Sequence, residues 1–516
     1  MTVATRRRHG GRAGNSRRSA RAALSQLDWC LPEIHDAPTQ PLGVDGIHAI
    51  DDAAMRVLEE IGILFLNREA RELLAKAGAI VDHDTFNVRM DRAMVRAYLA
   101  HAPSQFDITP RNPDRRITVG GRHITFGNVS SPPNCSDLDR GRRVGDRESF
   151  RDFIRFSQYF NCIHFCGGYP VEPVDIHASV RHLDCLQDKL LLCDKVVHAY
   201  SLGPERVEDV IEMVRIAAGL SDDEFDAAPR MYTNINSSSP LKHDWPMLDG
   251  AMRLARRGQP VIVTPFTLSG AMAPVTLAGA VTLQTAEALA AIVLLQIVRP
   301  GAPVVMGSFT SNVDMKSGAP AFGTPEYMRA TQMSGQMARH YGLPLRATNA
   351  CAANAPDAQA AWESAFSLWG CMSAGVNMVY HAAGWLEGGL CASYEKFVMD
   401  CETLQQMIVY AKPVGVTEAD LAVDAIREVG PTGHFFGAEH TQERYETAFY
   451  APFLSDWRNF KAWEEAGAEL TPQRANRMWK AILAEFEPPA MDPAIAEELD
   501  AFVTRRKAEG GAPTDF

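Results

Sequence analysis

The sequence predicts an α/β fold, a (β/α)8 TIM barrel with an N-terminal cap of helices and a hairpin and a C-terminal helical extension. Strand-like runs of apolar residues recur eight times between residues 121 and 412. Each run ends in small or polar residues and is followed by a helical pattern. Eight such units over about 270 residues suit a parallel barrel. A doubly wound sheet, the alternative, seldom has that many strands.

Composition indicates a soluble globular protein. The 516 residues are 46% hydrophobic and 22% charged, with a net charge of -12, which gives no sign of a nucleic-acid partner. The one basic stretch, "RRRHGGRAGNSRRSAR" at 6–21, has no apolar period and predicts a disordered tail over residues 1–26. It lacks the apolar core of a secretory signal, so we expect a cytoplasmic protein.

Residues 27–120 predict the N-terminal cap. "HAIDDAAMRVLEEIGILF" places its apolar residues at helical spacing, and "REARELLAKAGAIVD" follows as a second helix. Residues 105–126 then read as a hairpin with Gly120 and Gly121 at its turn.

The barrel is predicted over residues 121–412. Its strand-like runs are 123–131, 162–170, 195–203, 231–239, 260–268, 303–311, 345–353 and 378–386. Helical patterns lie near 149–160, 176–192, 205–219, 245–256, 277–298, 326–341, 357–374 and 394–411. Residues 277–298 are apolar enough to suggest a membrane span, but Thr282, Gln284 and Glu287 interrupt them, so we predict a buried helix and no membrane contact.

The loop after the sixth run, residues 307–325, is much longer than the usual connection of about two to six residues. Active sites in barrels lie on the loops that follow the strands, which explains such a loop. The C-terminal extension, residues 413–516, carries "GHFFGAEHTQERY" and "FLSDWRNFKAWEEAG", and we read it as a cap or an oligomer contact. We expect a homo-oligomer.

Familiar catalytic motifs are missing from the sequence: GxGxxG after a strand, GxxxxGK[ST], HExxH and GxSxG. The ten cysteines form no CxxC pair and predict reduced, mostly buried thiols. A zinc site built from Cys166, Cys351 or Cys391 remains an alternative. We predict no metal site.

Aromatic, amide and hydroxyl residues collect at the ends of the runs. We predict a substrate-binding set of Tyr169, Tyr200, Asn236, Phe266, Phe309, Asn349 and Trp385. Such an uncharged cavity with aromatic walls suits a quaternary ammonium group, which ring faces hold at about 0.5 to 2 kcal/mol each. Each residue taken alone is also explained by packing or loop capping.

Three further residues, Glu387, His381 and Asp314, are the predicted catalytic residues. Glu387 in "GWLEGG" and Asp314 in "SNVDM" offer Coulombic attraction to a cation, although either is equally explained as a capping carboxylate. His381, in the eighth run, is the third, although a structural histidine is an equal explanation.

Several long stretches resemble the trimethylamine:corrinoid methyltransferase family, the MttB superfamily. They are "TPFTLSGAMAPVTLAGAVTLQTAEALAAIVLLQIVRPGAPVVMGSFTSNVDMKSGAPAFGTPEYM", "NAPDAQAAWESAF", "HAAGWLEGGLCASYEKFVMDCETL" and "GHFFGAEHT". The resemblance covers nearly the whole chain and implies a (β/α)8 barrel whose mouth docks a corrinoid protein. Trimethylamine members carry pyrrolysine within the barrel. This chain has none, so it resembles the non-pyrrolysine branch, whose members demethylate quaternary amines such as glycine betaine.

We therefore expect a methyltransferase that moves a methyl group from a quaternary amine, similar to glycine betaine, to cob(I)alamin on a partner corrinoid protein. The cobalamin belongs to the partner, and no tightly bound cofactor is expected in this chain. Displacement from a quaternary nitrogen needs no general acid, so positioning should dominate over acid-base chemistry. The alternatives are a zinc-dependent corrinoid or thiol methyltransferase and a non-catalytic betaine-binding barrel.

Overall fold

The computed structural model describes residues 24–514. The predicted disordered tail, residues 1–26, lies outside the described residues except for its last three. Leu24 is buried and its amide donates to the Tyr159 hydroxyl, while the Gln26 side chain donates to the Tyr159 carbonyl. The chain therefore packs on the body of the protein before the predicted boundary.

Short helices and strands fill residues 44–120. The helices are α1 (Val44–Arg56), α2 (Arg68–Lys76) and α3 (Arg92–Leu99), and the strands are β1 (Ile63–Phe65), β2 (Ile80–Val81), β3 (Asn87–Arg89), β4 (Gln105–Ile108) and β5 (Ile117–Gly120). The strands β4 and β5 form the predicted hairpin.

The predicted position of the hairpin turn is wrong. Gly120 ends β5 and Gly121 follows it, whereas the turn lies at residues 109–116. Asn112 and Pro113 bend the chain there, because the Asn112 side chain accepts the Asp114 amide and Pro113 begins a short 3-10 turn.

Strands and helices then alternate between residues 121 and 412. The strands are β6 (Thr125–Asn128), β7 (Asn134–Asp137), β8 (Gly141–Val144), β9 (Thr233–Ile235), β10 (Lys242–His243), β11 (Val261–Val263), β12 (Thr267–Ser269), β13 (Val304–Gly307), β14 (Thr310–Val313), β15 (Pro320–Ala321), β16 (Leu345–Thr348), β17 (Met378–Ala383), β18 (Trp385–Leu386) and β19 (Cys391–Ser393). The helices are α4 (Arg147–Tyr159), α5 (Ala178–Leu192), α6 (Pro204–Ala217), α7 (Asp222–Asp226), α8 (Trp245–Arg256), α9 (Leu277–Val298), α10 (Pro325–His340), α11 (Ala358–Ala374) and α12 (Tyr394–Tyr410).

One parallel sheet organises this region. Its strands follow the order β6-β17-β16-β13-β11-β9, and all neighbours run parallel. The residues of β11 and β13 are apolar and buried on both faces, as parallel strands covered by helices require, whereas the buried strand β16 also contains Arg346 and Thr348. The predicted α/β fold is thus confirmed as a curled parallel sheet with helices.

Two of the predicted runs, 162–170 and 195–203, form single bridges in place of continuous strands. Parallel bridges join Gly127 to Phe165, Phe165 to Val196 and His198 to Tyr232, so these segments lie between β6 and β9. The ladder is interrupted because histidine rings accept amides that it would use. The Phe126 amide donates to His164 Nδ1 and the Asn234 amide to His198 Nε2, at 3.0 and 3.3 Å.

Side chains from successive segments fill the interior of the curled sheet. The cluster contains Phe165, Val196, Tyr232, Ile262, Val305, Met378 and Tyr380, packed with Ile108, Ile117 and Val119 of the β4–β5 hairpin. The Thr109 amide donates to the Pro229 carbonyl, shortly before β9 begins. The hairpin therefore covers the end of the sheet where the strands start.

The eight predicted helices are all present, with each boundary within two residues of the prediction. Among residues 24–514, α9 is the one helix long and apolar enough to cross a membrane, and 83% of its most apolar window is buried inside the protein. Its polar side chains are bonded within the fold. Gln284 Nε2, for example, donates to Ser334 Oγ at 2.9 Å. The prediction of a buried core helix agrees with this arrangement.

Small sheets extend from the carboxyl ends of the parallel strands. One has the order β12-β14-β15 and the other β18-β19-β7-β8. The long sixth loop thus folds largely into the β14–β15 hairpin. These additions form the surroundings of the candidate site.

Helices dominate residues 413–514. They are α13 (Glu418–Leu421), α14 (Val423–Val429), α15 (Glu439–Arg444), α16 (Phe460–Glu465), α17 (Thr471–Glu485) and α18 (Pro493–Ala508). The last two pack on the body: Trp479 Nε1 donates to Glu395 at 2.9 Å, and Lys507 forms an ion pair with Asp184. The division of the chain at residues 27, 121 and 413 stays a prediction.

Buried neutral histidines should make the protein sensitive to acid. His164 accepts the Phe126 amide at Nδ1 and its Nε2 lies 2.9 Å from the Cys30 carbonyl, and burial lowers its pKa from 6.5 to about 3. Below pH 6.5 the unfolded chain takes up a proton that the folded protein does not, so the free energy of unfolding falls by up to about 1.4 kcal/mol per pH unit. Urea unfolding between pH 7.5 and 5 should give a shallower slope for His164→Met, and equal slopes would contradict the prediction.

Candidate active site

A cavity of about 350 Å³ opens among the loops that follow the parallel strands. Its walls are formed by Ser130, Ser131, Gly168, His198, Tyr200, Ser201, Leu202, Asn234, Asn236, Met247, Phe309, Arg346, Tyr380, His381, Trp385, Gly388 and Gly389. A volume of this size fits a small organic molecule. The position matches the end of parallel strands at which α/β proteins bind ligands.

Aromatic rings form much of the wall. Tyr200 packs on Tyr169 with ring centres 4.3 Å apart, and Trp385 lies 4.1 Å from His381 and 5.8 Å from Phe309. The rings are fixed by these neighbours, so their faces stay in place when a ligand enters.

Arg346 is the charged residue of the wall. It lies in β16, is 3% exposed, and its guanidinium carbon is 4.3 Å from the Tyr380 ring centre and 5.5 Å from that of Phe309. Its Nη1 donates to the Ser308 carbonyl at 3.4 Å, and it forms no ion pair with an acid of residues 24–514. Burial lowers the pKa of this guanidinium. A buried cation without a counter-ion is costly, which indicates that a ligand supplies the negative charge.

Other donors around the cavity also lack a partner. Arg346 Nε, Trp385 Nε1 and His198 Nδ1 are buried and make no hydrogen bond within the described chain. His198 Nε2 accepts the Asn234 amide, so the proton of this ring lies on Nδ1. Burial, and then Lys189, holds the pKa of His198 well below its ordinary range, so the ring is neutral. Unused donors in a closed space favour an anionic ligand group.

His381 is held as a neutral ring at the cavity wall. Its Nδ1 accepts the Ser130 amide at 3.1 Å, which places the ring proton on Nε2. Burial, and then Arg346, holds its pKa well below the ordinary range. Its backbone has φ 52°, a left-handed conformation that is rare outside glycine and is often found at functional sites. His381 can donate a hydrogen bond, but it is not a general acid at neutral pH.

Comparison with known proteins identifies the family. The sequence model of the family described as "Trimethylamine methyltransferase (MTTB)" matches residues 7–511. The chain belongs to the MTTB family. It is 37% identical to glycine betaine methyltransferase of Desulfitobacterium hafniense (strain Y51) over 468 residues, which covers 90% of this chain and 97% of the relative.

Further relatives of this MTTB member act on different amines. It is 30% identical to the trimethylamine methyltransferase MttB of Desulfitobacterium hafniense (strain DSM 10664 / DCB-2), over 90% of this chain and 93% of the relative. It is 27% identical to the proline betaine:corrinoid methyltransferase of Eubacterium limosum, over 78% of this chain and 85% of the relative. The solved monomethylamine methyltransferase of Methanosarcina barkeri has 10% identity and a TM-score of 0.48, over 86% of this chain and 93% of that chain.

The structure of this MTTB member brings five of the predicted site residues to the cavity wall, namely Tyr200, Asn236, Phe309, His381 and Trp385. Tyr169 and Phe266 lie behind the wall, where they support Tyr200 and Phe309. Asn349 is buried outside the wall, and its side chain donates to the Ala382 carbonyl at 3.0 Å. Asn349 is therefore not brought to the ligand space.

The two predicted acids do not reach the cavity. Glu387 accepts two hydrogen bonds from Arg142 Nε at 3.0 Å. Asp314 is exposed and accepts from the Ser317 hydroxyl at 2.6 Å within its own turn. Asp314 is thus explained by the capping alternative, whereas the Glu387 carboxylate is held by an ion pair with Arg142 of β8. Among the described residues, no acid lines the cavity of this MTTB member.

Sequence reasoning missed Arg346, His198, Asn234 and Tyr380. Arg346 is the second residue of the seventh run, "LRATNACAA", whereas the predicted site residues lie toward the C-terminal ends of the runs. A signal was present, because Lys195 and Arg346 are the only lysine or arginine in the eight runs.

The zinc alternative finds no ligand set in residues 24–514. No three His, Cys, Asp or Glu side chains of this part of the chain come together as a metal site. Cys166 Sγ lies 3.5 Å from Cys193 Sγ, and Cys351 Sγ lies 3.3 Å from Glu363 Oε2. Cys166 and Cys351 of this MTTB member thus have different neighbours.

Proposed function

We propose that this protein transfers a methyl group from a zwitterionic quaternary amine of the glycine betaine type to a reduced corrinoid carried by a separate protein. The observation that carries the proposal is Arg346, a buried cation without a counter-ion beside aromatic walls. A plain cation such as trimethylammonium would meet like charge there, whereas a betaine brings a carboxylate of its own. Relatives named for glycine betaine and proline betaine support the same substrate class.

The hydrogen-bond donors suit the carboxylate of the substrate, and the aromatic rings suit its methylated nitrogen. The carboxylate fits the guanidinium of Arg346, with further donors at His198 Nδ1 and His381 Nε2. Charge-assisted and bidentate hydrogen bonds of this type are strong and directional. The methylated nitrogen then lies against Tyr200 and Trp385, since Tyr380 and Phe309 already contact the guanidinium. An anchored carboxylate limits the number of directions in which an N-methyl group can point.

The reaction makes modest demands on the protein. The reduced corrinoid on the partner supplies the electron pair that forms the new bond to the methyl carbon. The C–N bond breaks, its electron pair stays on nitrogen, and the product is a tertiary amine, so no proton is needed. Neutral His381 and His198 agree with this, because neither is poised as an acid. The work of the chain is to strip water from the cation and align one methyl group.

The cavity size supports a corrinoid that belongs to the partner. About 350 Å³ holds a betaine but not a corrinoid macrocycle, so the ring must approach from outside the opening. We propose that no tightly bound cofactor is held by this chain. The cavity wall contains no thiol or acid among the described residues, which is consistent with this role.

We further infer that the fold is a closed (β/α)8 barrel. Single parallel bridges at Phe165, Val196 and His198 support two irregular strand segments between β6 and β9. With the six regular strands, these would make the eight strands of a barrel. The eight helices follow the eight segments in turn, as a barrel requires. Gly168 and Tyr200 of these two irregular segments line the cavity.

The direct test is methyl transfer with a panel of amines. The protein is mixed anaerobically with a reduced corrinoid protein, and methylation is followed by the visible spectrum with glycine betaine, trimethylamine, choline or tetramethylammonium as donor. We expect turnover with glycine betaine and at least about 100-fold less with the three donors that lack a carboxylate. Calorimetry of glycine betaine with the protein alone measures binding separately. Tight binding without transfer would favour the non-catalytic barrel, and equal turnover of trimethylamine would reject the zwitterion proposal.

A further inference from the structure

A segment of the C-terminal extension leaves the body of the protein after α12 and returns forty residues later. We call residues 413–449 the C-terminal arm; the chain rejoins the body where the Phe453 and Leu454 amides donate to Glu402 at 3.1 Å. Within the arm only Ala425 and Ala438 are buried. The hydrogen bonds recorded for the arm are internal, such as His440 Nε2 with the Ala419 carbonyl at 3.2 Å. The arm therefore makes few packing contacts with the rest of its own chain.

The arm exposes large apolar side chains. Phe436 is 82% exposed, Phe449 84% and Val414 87%. The others are Val416, Leu421, Val423, Ile426, Phe435 and Tyr445. A segment with so few buried contacts and so many exposed rings lacks the apolar burial that normally stabilises helices of this length.

A second apolar surface lies on the outside of α11 and α12. We call Trp362, Phe366, Trp369 and Tyr410 the aromatic patch. The first three are spaced by four and three residues on one helix, so they share a face, and the rings of Trp369 and Tyr410 are 5.0 Å apart. Trp362 is 62% exposed and Tyr410 53% exposed. The four rings thus form an aromatic surface that residues 24–514 leave partly exposed, with Phe366 and Trp369 each 38% exposed.

We propose that the C-terminal arm of one chain covers the aromatic patch of a second copy of the same chain. The arm and the patch together expose apolar surface on the order of 1,000 Å² per chain. Burial of that area on both copies reaches the total of about 2,000 Å² typical of permanent homo-oligomers. Reciprocal exchange about a two-fold axis closes the assembly, because each copy offers one arm and one patch.

Other occupants fit less well. The helices α11 and α12 run back from the carboxyl ends of the strands, so Trp369, Tyr410 and the start of the arm lie at the end of the sheet away from the cavity. A corrinoid carrier must cover the cavity opening, and the end of the patch formed by Trp369 and Tyr410 lies away from that opening. The arm holds seven acidic residues and two arginines, which disfavours nucleic acid and anionic membranes. This inference does not depend on the proposed function.

Sedimentation and light scattering test the assembly. Wild-type protein should be a dimer at micromolar concentration, with twice the 56.7 kDa mass of one chain. Phe436→Asp on the arm and Trp362→Asp on the patch should each yield the 56.7 kDa monomer, while Ile80→Asp, an exposed position of the N-terminal cap, should not. Circular dichroism verifies that the variants remain folded, since both positions are exposed and carry no core packing.

Cross-linking tests the contact itself. A benzophenone amino acid placed at position 436 should cross-link to a peptide of α11, and mixing isotope-labelled with unlabelled chains should place the two ends on different copies. A monomeric wild-type protein, or cross-links that join only residues of one copy, would overturn the proposal. Betaine calorimetry on the same monomeric variants reports the cavity independently, so loss of assembly and loss of ligand binding are separate results.

Discussion

Arg346→Met should abolish tight binding of glycine betaine while leaving the protein folded. The substitution removes the cation that the carboxylate pairs with, and truncation of a buried charge pair costs about 2 to 5 kcal/mol, or about 30-fold to 5,000-fold in affinity. Thermal stability should stay equal or rise, because a buried charge without a counter-ion is replaced by an apolar side chain. Calorimetry and thermal unfolding of the same sample measure the two effects.

The ligand series makes this test specific to charge. Tetramethylammonium, which has no carboxylate, should bind Arg346→Met as well as or better than the wild type, since like charge has been removed. Arg339→Met is the control for the loss of an arginine elsewhere: Arg339 is exposed, its Nη1 donates to the Ala374 carbonyl at 2.6 Å, and it lies outside the cavity. An equal loss of both ligands in Arg346→Met, or a loss of betaine in Arg339→Met, would contradict the assignment.

The helices were predictable because their signals are local. The bounds of α8 and α9 agree with the prediction at every end residue, where Asp244 caps α8 and a Pro-Gly pair follows α9. The hairpin turn was predicted at Gly120 and Gly121 because glycines are common in turns, whereas the turn forms at Asn112 and Pro113. Glycine and proline indicate that a strand or helix ends, but the sequence does not show at which of two such nearby positions the chain reverses direction.

The site was predictable in part, for a different reason. Residues that follow the strands, such as Tyr200 and Phe309, reach the cavity because the topology carries every such position to the same edge. Arg346 escaped because it lies within a strand, where the direction of a side chain depends on a register that one sequence does not specify. Asp314 accepts hydrogen bonds within its own turn and Glu387 pairs with Arg142 of β8, so neither carboxylate lines the cavity. The sequence predicted an uncharged cavity to which these two acids could add a negative charge, whereas the charged side chain of the wall is the cation Arg346.

Trp385→Leu and Tyr200→Leu should reduce the preference of the cavity for a cationic nitrogen. The ligand pair is glycine betaine and 3,3-dimethylbutanoate, which keeps the carboxylate and the shape but carries carbon in place of the charged nitrogen. In the wild type two ring faces should favour betaine by about 1 to 4 kcal/mol, because each cation-π contact is worth about 0.5 to 2 kcal/mol. Each variant should lose about half of that preference, measured by competition calorimetry.

The comparison isolates the ring faces from the shape of the pocket. Both ligands lose the same packing when a ring is removed, so the ratio of their affinities reports the interaction with charge alone. Phe266→Leu serves as the control, because Phe266 packs on Phe309 at 4.8 Å behind the wall and should leave the ratio unchanged. If the wild type binds the two ligands equally, the rings provide only apolar surface, and the orientation of the methyl group must then depend on the carboxylate contacts alone.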